Sequence, residues 1–201
     1  MIIFRNDKPF RILGYHEASL TKSVFQILHD DIPNTEIMLP KDFCILENKE
    51  QYQYFVTIGN DPEERKEMIN IIDTLNLDCV SYIHESSLIH DSAKIGKGVG
   101  IFCFSTIMAD AVIGDHCMID AYCMISHDCI LEKNCIVRSG TIIAGRTEVG
   151  KNVLFCMKSS VINKINICDD VIIGAYSGVT KDITTPGMYL GTPARLAKSL
   201  D

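Results

Sequence analysis

The sequence has no tryptophan, no Cys-x-x-Cys pair among its nine cysteines and no uncharged apolar run of 18 residues. Without cysteines paired at that spacing, zinc-ribbon and thioredoxin-type sites are not expected. The opening stretch has only four apolar residues before its first charge, so we expect a cytoplasmic protein with no membrane insertion. Basic residues number 19 against 26 acidic ones, and the net charge of -7 argues against a nucleic-acid partner.

Disorder is also excluded, because 47% of the residues are hydrophobic and only 22% are charged. A length of 201 residues fits one large domain, or one domain with a small companion. The number of cysteines is odd and nothing marks the sequence for export, so free thiols are expected rather than a disulfide framework.

A six-residue repeat occupies the second half of the sequence. Seventeen consecutive hexads run from Ile83 to Thr184, and their first position is always Ile, Leu or Val except at Phe155. The fifth position is a small residue in every hexad but two, which have Ile165 and Ile183. Four cysteines occupy consecutive fifth positions, namely Cys117, Cys123, Cys129 and Cys135.

One large branched residue and one small residue per hexad are typical of short parallel strands that wind around a filled interior. Three hexads would make one coil of a triangular parallel β-helix, so residues 18 apart would stack. The hexads are enough for between five and six coils. The fifth-position cysteines are then interpreted as packed interior residues.

Residues 1–80 lack the repeat and predict a small βαβ domain, while residues 81–201 form the β-helix domain with a C-terminal tail. Strands are predicted at FRILGY, TEIML and YFVTIGN. Two amphipathic helices are predicted, one with Leu20, Val24, Ile27 and Leu28 on its apolar face and one that starts at Asp61-Pro62 with Met68, Ile71, Ile72 and Leu75.

Ligands of βαβ domains bind beyond the carboxyl ends of the strands. In this sequence those ends are two short segments that become candidate substrate-binding residues: Gly14, Tyr15 and His16, and Gly59 and Asn60.

The sequence resembles the hexapeptide-repeat acyltransferases, in particular the family of sialic-acid O-acetyltransferases and nucleotide-amino-sugar N-acetyltransferases of the bacillosamine type. The likeness covers nearly the whole chain. It is carried by the TIGN segment before a helix, SYIHESSLI, the Ile-Ser-His-Asp-Cys motif at 125–129, the turn from Thr141 through Ala144 to Gly145, and GTPAR at 191–195.

That resemblance implies an α/β domain followed by an all-β left-handed parallel β-helix, and a homotrimer that binds acetyl-coenzyme A between adjacent prisms. The implied activity is acetyl-coenzyme A-dependent N-acetylation of a nucleotide-linked 4-amino-4,6-dideoxy sugar in bacterial surface-glycan synthesis. Two alternatives remain open: O-acetylation of sialic acid or a related nonulosonic acid, and a non-catalytic β-helix scaffold.

His127 is the candidate general base. Acyl transfer needs a group that takes a proton from the attacking amine or hydroxyl, and imidazole titrates in a suitable range. The third hexad position keeps His127 away from the interior. The neighbouring Asp128 is the candidate for orienting the ring.

Stacking by 18 residues extends the candidate site. From His127 it reaches Gly145, Asn163 and Lys181, which we interpret as a cofactor track along one edge. The resemblance adds Ala144 and the segment with Gly191, Pro193 and Arg195 on the cofactor side, and Asp120 on the acceptor side. No histidine stacks beneath His84, His90 or His116, so no metal site is expected.

Overall fold

In the computed structural model, the structure describes residues 9–14, 35–59 and 62–199, which fall into two compact units. The described residues up to Ser81 belong to one unit and those from Tyr82 onward to the other. The first predicted helix, the Asp61 start of the second and the candidates Tyr15, His16 and Asn60 lie outside the described residues.

The first unit contains a parallel sheet of four strands in the order β2-β1-β3-β4. Its elements are β1 (Phe10–Leu13), β2 (Glu36–Met38), α1 (Pro40–Ile45), a 3-10 turn (Lys49–Gln51), β3 (Gln53–Val56), α2 (Pro62–Thr74) and β4 (Asp78–Cys79). The three predicted strands are present. The short helix α1 was not predicted; Pro40 occupies its first turn, where a missing N–H costs nothing.

Helix α2 packs an apolar stripe onto the sheet. Met68, Ile69 and Ile72 are buried in one cluster with Leu13 and Val56. Leu75 was predicted on this face, but it follows the last helical residue and is 53% exposed.

Arg65 is the largest fully buried side chain of this unit, with 1% exposure. Its Nη1 donates to the carbonyl oxygens of Val56 at 2.8 Å and Ile58 at 3.1 Å. These carbonyls belong to the end of β3 and the segment after it, so the guanidinium supplies hydrogen bonds that no neighbouring strand provides there.

The second unit is a parallel β-helix of about six turns, and the prediction of a left-handed β-helix is confirmed. Its sheets have five, six and eight strands. The strands are β5 (Tyr82–Ile83), β6 (Leu88–Ile89), β7 (Lys94–Ile95), β8 (Gly100–Ile101), β9 (Thr106–Ile107), β10 (Val112–Ile113), β11 (Met118–Ile119), β12 (Met124–Ile125), β13 (Ile130–Leu131), β14 (Ile136–Val137), β15 (Ile142–Ile143), β16 (Glu148–Val149), β17 (Leu154–Phe155), β18 (Ser160–Val161), β19 (Asn166–Ile167), β20 (Val171–Ile173), β21 (Gly178–Val179), β22 (Gly187–Leu190) and β23 (Arg195–Lys198).

Residues 18 apart pair throughout the regular coils, as Met124 does with Ile142 and Ile142 with Ser160. First and fifth positions fill the interior in one continuous core. The four consecutive fifth-position cysteines are buried within it, and all nine cysteines are free thiols.

Each corner of the prism turns through a left-handed residue. From Gly98 to Tyr176 the fourth residue of every hexad has a φ between 55° and 75°, and only two of these residues are glycines. One such corner contains Asp128, with a φ of 58°.

The last coil is shorter than the hexad register predicted. Ile183 pairs with Ile167, and Val171 with Gly187, so the offset falls from 18 residues to 16. The expectation of regular stacking through residue 184 is therefore wrong beyond Val179. After this coil, β22 and β23 form an antiparallel hairpin.

Among the residues that the structure describes, no helix is both long enough and apolar enough to cross a bilayer.

Candidate active site

The His127 imidazole and the Asp128 carboxylate form a hydrogen-bonded pair at a corner of the prism. Nδ1 of His127 lies 2.8 Å from Oδ2 of Asp128, and the two side chains are 49% and 46% exposed. Because a carboxylate only accepts hydrogen bonds, Nδ1 carries the proton and the lone pair lies on Nε2. The pair therefore presents a proton acceptor to solvent.

Gly145 stacks one coil beyond His127 and lies against the imidazole ring. A Cβ at position 145 would be 2.7 Å from both Cε1 and Nε2 of His127. Only glycine leaves room for the ring in this orientation. The backbone of the two corners is also joined, because the Arg146 N–H donates to the His127 carbonyl at 3.0 Å.

We call this row of corners, which follows the strands of the six-stranded sheet, the His127 edge. Gly145 is buried and Ala144 half-buried, whereas Asn163 and Lys181 are exposed. The Lys164 N–H donates to the Gly145 carbonyl at 3.0 Å, which continues the stack. Lys181 belongs to the shortened last coil, so it lies at the same edge without the regular 18-residue pairing that its prediction assumed.

Arg146 is a member of this site that was not predicted. Its Nε lies 3.6 Å from the Asp128 Oδ2 that accepts the bond from His127. The bond from His127 is the main cause that lowers the pKa of Asp128, and Arg146 adds to it. Adding 18 to 128 reaches 146, so the repeat itself contained the signal.

The GTPAR segment extends the six-stranded sheet at its last strand. The Gly191 N–H donates to Ser177 Oγ at 2.9 Å, and Gly178 and Ala194 exchange backbone bonds with the segment at 3.0 and 2.7 Å. Gly191 has a φ of 91°, which favours glycine. Pro193 and Arg195 are exposed.

Asp120 lies at a different edge, after a strand of the eight-stranded sheet. Its Oδ2 is 3.4 Å from Arg138 Nη1, and both side chains are largely buried. One prism therefore does not bring this predicted acceptor residue to the corner of His127.

In the α/β unit, Gly14 and Gly59 follow the neighbouring strands β1 and β3. The Thr57 N–H and Oγ1 both donate to the Leu13 carbonyl, at 2.8 and 3.1 Å, which ties these strand ends together. Gly14 is buried and Gly59 is half-buried. In the described ranges, no three His, Cys, Asp or Glu side chains form a group that could hold a metal ion.

Comparison with known proteins gives matches to both the repeat and the fold. Residues 110–145 match the family model described as bacterial transferase hexapeptide, six repeats. The fold matches a histidine-to-alanine variant of GDP-perosamine N-acetyltransferase from Caulobacter crescentus in complex with coenzyme A and GDP-perosamine. That match has a TM-score of 0.82 at 23% identity and covers 97% of this chain and 98% of the other.

Two further structures share the fold. The acetyltransferase domain of PglB from Neisseria gonorrhoeae has a TM-score of 0.83 at 17% identity, with 94% and 98% of the chains covered. The N-acyltransferase AntD from Bacillus cereus, in complex with dTDP and coenzyme A, has a TM-score of 0.57 at 20% identity, with 61% and 81% covered. The chain is thus a hexapeptide-repeat protein of the bacterial transferase type, with the fold of these acetyltransferases.

Proposed function

We propose that the protein is an acetyl-coenzyme A-dependent N-acetyltransferase that acts on a nucleotide-linked amino sugar. The observation that carries this proposal is the His127–Asp128 pair, whose ring lies over Gly145 in the middle of a hexapeptide-repeat prism. The fold shared with enzymes crystallised with coenzyme A and a nucleotide sugar or dTDP supports it.

In the proposed reaction, Asp128 holds the His127 ring with its Nε2 lone pair free. As the sugar amine nitrogen bonds to the thioester carbonyl carbon, Nε2 takes the amine proton. The carbon–sulfur bond then breaks, and the imidazolium returns the proton to the departing thiolate. Ionised Asp128 stabilises the transient charge on His127 without accepting its proton.

The backbone at Gly145 is suited to the thioester oxygen. Within the described part of the chain, the Gly145 N–H donates to no protein atom, so it is available where negative charge develops. Neither Ala144 nor Gly145 carries a side chain larger than a methyl group, which leaves the corner backbone open to a pantetheine arm.

Polar and basic residues along the same edge are candidates for the rest of coenzyme A. Asn163 would contact the amide arm, while Lys181 and Arg195 would contact phosphates. Gly191 and Pro193 would shape the segment beside them. In the α/β unit, Gly14 and Gly59, together with Tyr15, His16 and Asn60, are the candidates for the nucleotide sugar.

We further propose that the enzyme is a cytoplasmic homotrimer. Because Asp120 and His127 occupy different edges of one prism, Asp120 could reach the acceptor of His127 from a neighbouring copy. Surface-glycan synthesis is the proposed pathway class, since amino sugars of the proposed kind are activated as nucleotides before transfer.

The first experiment incubates the protein with acetyl-coenzyme A and UDP-, dTDP- and GDP-linked 4-amino-4,6-dideoxy sugars, and with free and CMP-linked sialic acid, and detects products by mass. The expected result is a mass increase of one acetyl group on one nucleotide amino sugar, abolished in His127→Ala. His84→Ala, a histidine at another corner that contacts Ser86, should keep native activity.

Acetylated sialic acid as the sole product would replace the proposal with O-acetylation. An equal rate in His127→Ala would remove His127 from the chemistry. Binding of acetyl-coenzyme A is measured separately by thermal shift, and its absence together with the absence of product would favour a non-catalytic scaffold.

A further inference from the structure

Small hydrogen-bond donors at the fifth hexad position hold the corner carbonyls of the prism. The ladder between coils leaves the carbonyl of the second hexad position without a backbone donor, and a side chain 15 residues earlier supplies one. The donor–acceptor pairs are Ser87–Phe102, Ser105–Asp120, Cys117–Glu132, Cys123–Arg138, Cys129–Ala144, Cys135–Gly150, Thr141–Cys156 and Thr147–Ile162, at 2.6 to 3.3 Å.

The Cys129–Ala144 pair is special because of where its carbonyl lies. Ala144 precedes Gly145, the residue on which the His127 ring rests. Cys129 follows His127 and Asp128 on the same coil, and its Sγ is 3.2 Å from the Ala144 oxygen. The thiol therefore links the coil that bears the base to the coil that supports its ring.

The Ala144 carbonyl also accepts a hydrogen bond from Thr147 Oγ1 at 2.8 Å. It is the one second-position carbonyl with two side-chain donors in the bonds described above. Thr147 belongs to the same coil as Ala144, so it fixes the corner internally. Only Cys129 ties that corner to the coil of His127.

Burial keeps the thiol in its donating form. Desolvation is the main cause that raises the pKa of Cys129, so the sulfur retains its proton at neutral pH. The Cys129 side chain is small enough for the fifth position, where the prism interior leaves little room.

We propose that Cys129 is a positioning residue, which holds the Ala144–Gly145 corner at the height that the His127 ring requires for proton transfer. This inference rests on the proposed acetyltransferase function. It assigns a role to a thiol that takes no part in the chemistry. A displacement of the corner would move Gly145 against the ring and misalign Nε2 with the amine.

The test compares Cys129 with Cys135, a matched control. Cys135 has the same hexad position, the same burial and the same type of bond, at 3.1 Å to the Gly150 carbonyl, but its corner carries no candidate base. Each cysteine is replaced by Ala, which removes the donor, and by Ser, which keeps one. Melting temperature, kcat, KM for acetyl-coenzyme A and amide hydrogen exchange are measured for all four variants.

Cys129→Ala should lower kcat about tenfold, equivalent to the loss of one hydrogen bond at the site. Cys129→Ser should restore kcat to within about twofold. Cys135→Ala should lower the melting temperature by a similar amount and keep native kcat. Equal kcat losses in the two Ala variants, or native kcat in Cys129→Ala, would overturn the proposal.

Hydrogen exchange separates this proposal from the proposed function. The Arg146 amide, bonded to the His127 carbonyl, should exchange about tenfold faster in Cys129→Ala than in Cys135→Ala, whether or not an acetyl acceptor is found. Unchanged exchange would refute the positioning role even in an active enzyme. Faster exchange in a protein without acetyltransferase activity would refute only the function.

Discussion

The two units satisfy their buried backbone groups in different ways. In the α/β unit one side chain, Arg65, serves two carbonyls after β3. In the prism the same need is met many times over by small hydroxyl and thiol groups, each of which serves a corner carbonyl. A unit that depends on one buried cation concentrates its vulnerability, whereas a repeated unit distributes it.

The largest effect is expected at Arg65. Arg65→Met leaves the carbonyls of Val56 and Ile58 buried without this donor, and should lower the free energy of unfolding of the α/β unit by about 3 kcal/mol. Hydrogen exchange followed by mass spectrometry should show the loss of protection in β3. The exposed Glu67→Gln on the same helix should change neither.

The matching change in the prism is Ser87→Ala, which removes one corner donor and should cost only about 1 kcal/mol. If Ser87→Ala destabilised its unit as much as Arg65→Met does, the contrast between a concentrated and a distributed arrangement would be wrong.

A smaller effect, on activity rather than stability, is expected at Gly145. In Gly145→Ala the new methyl would press on Cε1 and Nε2 of His127, and should reduce kcat about 30-fold by displacing the ring. Steady-state kinetics and thermal unfolding test this. Gly150→Ala also crowds its neighbour, Asp169, but at a corner without a base, so it should lower stability and leave kcat near the native value.

Alkaline pH should distinguish the two units. Burial raises the pKa of Cys123 from 9.0 to about 12, and it also raises the pKa of Cys129 and Cys135. Between these values the unfolded thiols lose protons that the folded ones keep, so prism stability falls as pH rises above about 9, by on the order of 1 kcal/mol per pH unit for each thiol.

In the α/β unit, burial raises the pKa of Tyr54 above its ordinary value of 10.0, so its alkaline loss should begin about one pH unit later. Denaturant unfolding at pH 8, 9 and 10, read by local hydrogen exchange or proteolysis, measures both. Cys123→Ser should reduce the slope of the prism alone. An unchanged slope would mean that the thiols are already ionised in the folded protein.

The smallest effect is expected at Asp128, which is exposed. Asp128→Asn keeps an acceptor for the His127 ring but removes its charge, and should lower kcat/KM about fivefold with no change in melting temperature. Substitution of Asp110, which occupies the equivalent place one coil earlier, should leave kcat/KM unchanged. A loss of several orders of magnitude in Asp128→Asn would indicate a direct chemical role.

The prism could be predicted residue by residue because its register follows from a local pattern. A branched residue and a small one recur every six residues, and stacking by 18 then pairs His127 with Gly145. The shortened last coil could not be found in this way, because VTKDIT still fits the hexad pattern. The offset of 16 comes from the pairing of β22 with β20, which lies beyond the repeat.

The α/β unit was harder to predict in detail. Its three strands were identified from apolar runs, but α1 spans only six residues and has a weak periodic signal. Arg65 would be expected at the surface from its charge alone, and only the three-dimensional position of two carbonyls explains its burial. At the candidate site, the adjacent His127 and Asp128 were readily predicted, whereas the contact with Arg146 depends on side-chain reach across a coil.

The constant coil length also makes the prism a molecular ruler. Because each turn advances the chain by one strand spacing of about 4.8 Å, the separation between His127 and any later corner comes only in multiples of that step. Insertion of one or two residues would rotate every later side chain off its edge, while insertion of a complete 18-residue coil would keep each at its edge and lengthen the track by one step. The edge can therefore change in evolution or design only by whole turns, and an added turn between Gly145 and Asn163 would test how long a ligand the track is matched to.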